Sequence, residues 1–502
     1  MADEESPLLA PPDPKPHNAK RSDALIIYGT FLGVFVASAD ESLVLSTYST
    51  IASQFHQLSA GSWLLVAYNF GYCVSLPVYG ALSDSYGRKN VLLSSYLFFT
   101  LGCLACGASS SLTQLVLARV IAGLSGAGMV AMVSMIIMDL MPPSEVAIYR
   151  SYENLVNIFG RSLGAPIGGF LIDAIGWRWS FFGQIPFIII CTLVAVYGLP
   201  ASLNETQSDE TPPSSSSPDE SQDEPAHRTR LGELDFAGLI SFSATIIALL
   251  FLLQAAGEGA ADEGPAGQKS ILALALTFVL CGVAFVMIEV FWARRPLIPM
   301  DLLSKKLGAY CLIQTVLFTG RSAFNGAIVP YFIRVENASE FAASAAYILN
   351  VLGASMGGIF AGLVIKRTRR YKTMTALAYL LTIVCFLLVL LLWRTGCSIA
   401  DSLLLLPSGF AVGIIFSTSF IGMSSSSPRD SLSICIGTYY LFQQLGLIIG
   451  PACGSAMIQS LFERELSARL VGPGKKEVWD RYDTKIKLWY PVLTPSDHQA
   501  AS

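Results

Sequence analysis

The chain has 502 residues, of which 53% are hydrophobic and 14% charged, and its formal net charge is −4. A soluble globular chain usually carries about 25% charged residues, so this composition excludes an ordinary soluble protein. The slight acidic excess also excludes the basic surface that nucleic-acid binding requires.

Apolar runs follow one another along nearly the whole chain. A hydrocarbon core about 30 Å thick needs about 20 apolar residues per helix. Thirteen runs meet that length, and we number them as spans 1 to 13. They cover residues 25–51, 61–82, 90–108, 113–138, 152–175, 179–199, 234–255, 269–293, 308–332, 342–365, 373–393, 402–422 and 431–461. The pattern predicts an all-α integral membrane protein.

Lysine and arginine fall mainly in alternate loops between the spans. With the N-terminus in the cytosol, eighteen of them, including Arg150, lie in cytosolic segments and four in the opposite loops. Short cytosolic loops carry an excess of positive residues. We therefore expect the N-terminus to lie inside.

Polar segments divide the chain into domains. Residues 200–233 are rich in serine, proline and acidic side chains, which is typical of a solvated linker. We predict a cytosolic tail without a cleaved signal (1–23), a six-helix bundle (24–199), the linker (200–233), an additional helix pair (234–293), a second bundle (294–461) and a polar tail (462–502). Thirteen spans leave the basic tail outside the cytosol, so we expect the second bundle to lack one helix.

The strongest local motif lies between spans 2 and 3, on the predicted cytosolic side. It reads Gly80-Ala-Leu-Ser-Asp84-Ser-Tyr-Gly87-Arg88-Lys89. Gly80 allows close helix approach, Gly87 permits a tight turn, and Asp84 can pair with Arg88. The motif resembles the loop signature of the major facilitator superfamily, which implies a cytosolic latch that is made in one access state and broken in the other. Positive-inside anchoring by Arg88 and Lys89 alone is the alternative.

Span 5 carries small residues at a helical spacing. Gly160, Gly164 and Gly168 recur every four residues, with Pro166 and Gly169 beside them. Such a groove lets a neighbouring helix approach closely, and helix packing alone would explain it. The whole string resembles the antiporter signature of proton-coupled exporters in the same superfamily.

The junction of spans 5 and 6 narrows the resemblance. Residues 176–186 read GWRWSFFGQIP, which is similar to the drug:H⁺ antiporter family with fourteen helices. Gln184 in this string, together with Gly164-Ala165-Pro166, makes the chain more similar to the fungal vacuolar basic amino acid transporters. This resemblance implies a major facilitator fold of two six-helix bundles and an extra helix pair, with fourteen helices where thirteen are counted.

Ionisable side chains inside predicted spans are candidate coupling groups, because a charge at membrane depth costs about 2.5–3.5 kcal/mol. Asp40 and Glu41 lie in span 1, and Arg119 and Arg161 are their natural counter-charges in spans 4 and 5. Adjacent helical residues point about 100° apart, so we expect one acid to face a cavity. We favour Asp40, which also occupies the position of the acid in the resembled family. Permanent structural ion pairs are the alternative.

Further polar groups lie on spans that would line a cavity. The candidates for substrate contact are Tyr68, Asn157, Asn325 and Gln443. Each of them also suits a hydrogen bond between helices. Arg321 and Glu289 are further charged candidates, and Glu289 lies near a predicted cytosolic end where it could reach the interface.

The N-terminal tail contains a sorting motif. Glu4 precedes the pair Leu8 and Leu9 by four residues, which resembles acidic dileucine signals for vacuoles and lysosomes. The resemblances together imply a proton-coupled antiporter that moves basic amino acids into the vacuole. A plasma-membrane exporter of drugs or toxic metabolites is the nearest alternative, and a non-transporting nutrient receptor or inactive truncated relative is the alternative from another class.

The expected partners are a small solute, protons and the lipid bilayer, and we expect a monomer without cofactor, metal or nucleic acid. Cys103 and Cys106 have redox or metal spacing, but no second cysteine or histidine pair lies near them. A nucleophile with its base, a metal cluster and a phosphate loop are not recognisable in the sequence. We therefore do not expect an enzyme.

Overall fold

The structure is a computed structural model that describes residues 21–57, 60–204, 235–259, 265–293, 296–336, 340–393, 399–428 and 431–469. Within these ranges the regular structure is helical. The helices are α1 (Arg21–Gln54), α2 (Trp63–Tyr86), α3 (Arg88–Ala108), α4 (Leu112–Leu140), α5 (Pro143–Ile175), α6 (Trp177–Phe182), α7 (Ile185–Gly198), α8 (Phe236–Gly259), α9 (Pro265–Phe291), α10 (Met300–Leu303), α11 (Lys306–Arg334), α12 (Glu340–Thr368), α13 (Lys372–Leu392), α14 (Ile399–Ser402), α15 (Leu405–Ser426) and α16 (Leu432–Arg469).

The predicted spans correspond to long helices. In the described ranges, twelve stretches are long and apolar enough to cross a membrane. The predicted span 308–332 is not among them, although it forms the 29-residue helix α11. Arg321 and the hydroxyl and amide side chains around it lower the hydropathy of this helix. The prediction of an all-α membrane protein is confirmed.

Two boundaries differ from the predicted spans. Span 6 consists of α6 and α7, which are separated at Gly183 and Gln184 just before Pro186. Helix α16 continues to Arg469, eight residues beyond the predicted end at 461. Residues 205–234, which form most of the predicted linker, and residues 470–502 of the predicted tail lie outside the described residues.

The helices form two bundles that face each other. In the first, α1 packs on α5 and α7, and α4 packs on α2 and α3. In the second, α15 packs on α12 and α13, and α11 packs on α16. The bundles meet where α5 crosses α12 and α2 crosses α16, and the pair α8 and α9 lies beside α2 and α16. This arrangement leaves a space between the bundles.

Local sequence signals define several helix ends. Gly87 ends α2 with φ of +83°, and Gly176 ends α5 with φ of +95°, a region that side chains disfavour. Ser111 caps α4 by accepting a hydrogen bond from the backbone N–H of Gln114 at 3.3 Å. Pro143 stands in the first turn of α5, where it needs no hydrogen-bond donor. These caps fix where the charged residues of α4 and α5 fall within the bundles.

Candidate functional site

A cavity of about 640 Å³ lies between the two bundles. Its walls come from α1, α2, α4 and α5 on one side and from α11, α12, α15 and α16 on the other. A cavity of this size suits a small solute. The charged residues that line it are Glu41, Arg150, Glu153, Arg161 and Arg321.

Glu41 and Arg161 form an ion pair on the wall of this cavity. The Arg161 Nη2 lies 2.9 Å from the Glu41 Oε2, and the side chains are 31% and 22% exposed. The carboxylate therefore remains accessible from the cavity while it is paired. A proton or a cationic ligand entering the cavity can compete with the guanidinium for it.

Asp40 points away from the cavity into the first bundle. Its Oδ2 lies 2.6 Å from Nη1 of Arg119, and its Oδ1 accepts a hydrogen bond from Gln184 Nε2 at 3.0 Å. Both charged side chains are at most 1% exposed. We expected Asp40, and not Glu41, to be the acid that faces the cavity. The structure shows the opposite. Adjacent positions on α1 face different neighbours, and Arg119 of α4 lies on the Asp40 side.

The four polar candidates fall into two groups. Asn157, Asn325 and Gln443 line the cavity. Tyr68 does not, because its ring lies 4.4 Å from the Arg119 guanidinium and its hydroxyl points to the Ala37 carbonyl at 3.4 Å. Tyr68 thus belongs to the buried surroundings of Asp40 and Arg119.

A second buried charge pair was not anticipated from the sequence. Arg150 and Glu153 of α5 form an ion pair, and each is 3% exposed. The Glu153 Oε1 accepts a hydrogen bond from Ser134 Oγ at 2.6 Å, and the same hydroxyl lies 2.6 Å from that of Tyr440 in the second bundle. The Arg150 guanidinium also lies 4.0 Å from the Phe420 ring centre. Polar and aromatic contacts between the bundles therefore meet at this pair.

The assignment of Arg150 to a cytosolic loop is wrong. Helix α5 begins at Pro143, so Arg150 lies two turns into the helix and faces the second bundle. Positive residues close to a span boundary are easily assigned to the loop. The usable signal was Glu153, which follows Arg150 at a helical i, i+3 spacing.

Glu289 also lies in a different environment from the predicted one. It is 3% exposed, and its Oε1 accepts a hydrogen bond from the backbone N–H of Ile298 at 2.7 Å. The carboxylate thus holds the segment after α9 in place instead of reaching the interface.

The motif between α2 and α3 forms a network of polar contacts. Arg88 lies 2.6 Å from Asp84 and 2.9 Å from Asp139 of α4. Lys89 donates hydrogen bonds to the carbonyl oxygens of Val196 and Leu199 at 2.8 and 2.7 Å. The network therefore ties together the predicted cytosolic ends of helices from the first bundle.

Gly80 brings this motif against the second bundle. A Cβ at this position would lie 2.9 Å from the carbonyl oxygen of Ser433 and 3.0 Å from the Cα of Ile434. Only a glycine lets α2 approach the start of α16 so closely. The bundles are therefore in direct backbone contact at this end.

The small residues of α5 form the contact with α1. A Cβ at Gly160 would lie 2.7 Å from the Phe35 carbonyl oxygen, and one at Gly164 would overlap the Ala39 carbonyl oxygen. Gly168 faces Leu43 in the same way, while a Cβ at Gly169 would meet no atom within 4 Å. Pro166 lies inside α5 between these positions. The groove thus positions Glu41 of α1 beside Arg161 of α5.

Two polar contacts between the bundles lie on the predicted cytosolic side of the cavity, and another, from Gln444 Nε2 to Asn69 Oδ1 at 2.9 Å, lies in its wall. Lys366 lies 2.7 Å from Glu145, and Ser151 Oγ donates to the Gly358 carbonyl oxygen at 2.6 Å. Leu45, Val329 and Pro451 line the cavity towards the opposite ends of their helices. The cavity is therefore closed towards the predicted cytosolic side.

Comparison with known proteins identifies this architecture. A sequence model described as Major Facilitator Superfamily matches residues 30–451. The chain belongs to the major facilitator superfamily. Members of this superfamily are transporters, so the expectations of family and of a non-enzymatic protein are confirmed.

Three relatives with assigned roles come from fungi. The chain is 28% identical over 449 residues to the vacuolar membrane amino acid uptake transporter fnx2 of Schizosaccharomyces pombe, with 89% of this chain and 74% of the relative covered. It is 28% identical to vacuolar basic amino acid transporter 1 of Saccharomyces cerevisiae, with 73% of this chain and 63% of the relative covered. It is 26% identical to multidrug resistance protein fnx1 of Schizosaccharomyces pombe, with 97% and 89% covered.

A solved structure shares the fold. The crystal structure of the human organic anion transporter MFSD10 superposes with a TM-score of 0.55 at 17% identity, covering 88% of this chain and 94% of that chain. This likeness confirms the major facilitator fold. The chain is thus a multi-pass membrane protein of a transporter superfamily.

Proposed function

We propose that this transporter is a proton-coupled antiporter that moves basic amino acids from the cytosol into the vacuole. Two relatives are described as vacuolar transporters of amino acids or basic amino acids, which supports both the substrate class and the membrane. An acidic vacuolar lumen would supply the protons.

The ion pair between Glu41 and Arg161 carries this proposal. Its carboxylate is accessible in the cavity and already has a cationic partner at 2.9 Å. A basic amino acid brings a second cation that can replace the guanidinium, and a proton can neutralise the same carboxylate. Because one carboxylate cannot hold both, occupation by a proton releases the substrate cation. That competition is the physical basis of exchange.

Alternating access follows from the contacts between bundles. With the cavity closed on the cytosolic side, a proton from the lumen reaches Glu41 and the substrate leaves. For the cavity to reach the cytosol, the pairs Lys366–Glu145 and Tyr440–Ser134 have to separate. Rocking of the two bundles about a midplane site is the mechanism that this fold supports. On this account Asp40 and Arg119 hold α1 against α4, and the monomer is the transporting unit.

Export of apolar compounds is the second candidate function. The cavity wall includes Phe318 and Phe416. One relative, whose similarity extends over 97% of this chain, is described as a multidrug resistance protein. Location distinguishes the two candidates. The dileucine motif with Glu4, Leu8 and Leu9 lies outside the described residues, and changing Leu8 and Leu9 to alanine should abolish vacuolar targeting. A wild-type protein in the plasma membrane would favour the exporter.

Uptake into vacuolar vesicles tests the proposed function. Vesicles with the wild-type protein should take up labelled arginine, lysine or histidine on addition of ATP, and vesicles without the protein should not. Dissipating the proton gradient should stop the uptake. Absence of uptake by the wild type would contradict the proposal and favour a non-transporting receptor or an inactive relative.

A further inference from the structure

Arg321 is a charged residue of the cavity that the exchange mechanism does not use. It lies in α11, on the wall opposite Glu41 and Arg161. It is fifteen residues after Lys306 at the start of α11, which places it roughly 23 Å along the helix at 1.5 Å per residue. This depth lies within a hydrocarbon core about 30 Å thick.

The cavity has one more arginine than carboxylates. Arg150 pairs with Glu153, and Arg161 pairs with Glu41. In the described part of the chain, no carboxylate lies within ion-pair distance of Arg321. The Arg321 guanidinium carbon lies 5.7 Å from the centre of the Phe318 ring.

An intramembrane guanidinium without a carboxylate is costly unless the site has another use for its charge. Water in the cavity can solvate Arg321 while the site is empty. A carboxylate group of a ligand would compensate the charge of Arg321 locally, and the planar guanidinium matches a carboxylate with two parallel hydrogen bonds. The residual charge of the cavity thus favours an anionic group on the ligand.

Amide groups next to Arg321 suit the other half of an amino acid head group. Asn325 follows Arg321 by one helical turn, lines the same cavity, and has a buried Oδ1 without a hydrogen-bond partner in the described structure. Gln443 of α16 also lines the cavity, and its Oε1 accepts a hydrogen bond from Gln314 at 3.2 Å. An ammonium group can donate to the free Asn325 oxygen.

We propose that Arg321 binds the α-carboxylate of the substrate, with Asn325 accepting a hydrogen bond from its α-ammonium group. This inference rests on the proposed function and specifies its binding mode. The substrate's side-chain cation then reaches Glu41 across the cavity. Each bundle holds one end of the substrate, so a bound amino acid draws the bundles together. Amines without a carboxylate bind only through the Glu41 side.

Binding of arginine and agmatine tests this assignment, because agmatine is arginine without the α-carboxylate. Purified full-length protein in lipid nanodiscs is titrated with each ligand. The variants are Arg321→Gln and Arg321→Lys, and Lys306→Gln serves as the control because it removes an exposed charge from the start of the same helix. Wild type and the control should bind arginine about tenfold or more tightly than agmatine, as expected for a charge-assisted bidentate contact. Arg321→Gln should bind both ligands as weakly as wild type binds agmatine.

The outcomes separate this inference from the proposed function. If Arg321→Gln binds arginine as tightly as wild type, the assignment is overturned while the function as an amino acid transporter stands. If wild type binds neither arginine, lysine nor histidine, the proposed function fails and this inference fails with it. If Arg321→Gln does not fold, the affinities of the wild type for arginine and agmatine test the assignment. Equal affinity for the two ligands overturns it. Arg321→Lys keeps the charge and loses the planar fork, so we expect an intermediate affinity for arginine.

Discussion

Replacing Asp40 by asparagine should destabilise the protein far more than replacing Glu41 by glutamine. Asp40 and Arg119 are at most 1% exposed, and their charged atoms lie 2.6 Å apart. The asparagine would present an amide to a guanidinium that has lost its counter-charge inside the bundle. Removing one partner of a buried pair costs about 3–5 kcal/mol.

The Glu41→Gln change occurs in a wetter environment. The Glu41 and Arg161 side chains are 22% and 31% exposed to the cavity, so water can solvate the guanidinium after the change. Exposed ion pairs contribute about 0–1 kcal/mol, and this partly exposed pair lies between that range and the cost of breaking a buried pair. Asp40→Asn should therefore be clearly the more destabilising of the two variants, although they remove neighbouring charges from one helix.

Thermal unfolding in detergent, followed by the fraction that stays monodisperse, measures this difference. We expect a large fall in the apparent melting temperature for Asp40→Asn and a small one for Glu41→Gln. The double variant Asp40→Asn with Arg119→Gln should recover part of the loss, because it no longer leaves an unpaired charge. Equal stability of the two single variants would refute the distinction between a structural acid and a cavity acid.

Two glycine contacts give further predictions. Gly164→Ala should lower the yield of folded protein in size-exclusion chromatography, because its Cβ would overlap the Ala39 carbonyl oxygen and overpacking costs about 1–3 kcal/mol. Gly169→Ala is the control, since a Cβ at this position meets no atom within 4 Å. Gly80→Ala should weaken the contact between the bundles at Ser433 and speed maleimide labelling of the buried Cys435 in a variant that retains only this cysteine. An unchanged labelling rate would show that this contact does not hold the bundles closed.

The fold was largely predictable from the sequence because apolar runs and loop charges follow directly from the bilayer. The cavity was only partly predictable. Asp40 and Glu41 were both recognised, but α1 is apolar around most of its circumference, so periodicity could not tell which acid faces the second bundle. That choice depends on Arg119 and Arg161, which belong to other helices.

Two arginines illustrate the remaining gap. Arg150 was assigned to a loop because it lies close to a span boundary, yet its pairing with Glu153 and its contact with Phe420 place it between the bundles. Arg321 was recognised as an intramembrane charge, but its lack of a carboxylate partner in the described structure emerges only when both walls of the cavity are seen together. Contacts across the bundle interface combine residues about 300 positions apart, as Ser134 and Tyr440 do, and local sequence patterns carry no record of them.

Proton movement coupled to arginine tests the central claim most directly. Purified protein is reconstituted into liposomes with an acidic interior and an internal pH dye, and arginine is added outside. We predict that the internal pH rises in liposomes with the wild type, because protons leave as arginine enters. In Glu41→Gln, which should keep near wild-type stability, the rate of this pH rise should fall at least tenfold because the amide cannot bind a proton. A Glu41→Gln variant that exchanges arginine for protons at the wild-type rate would contradict the account.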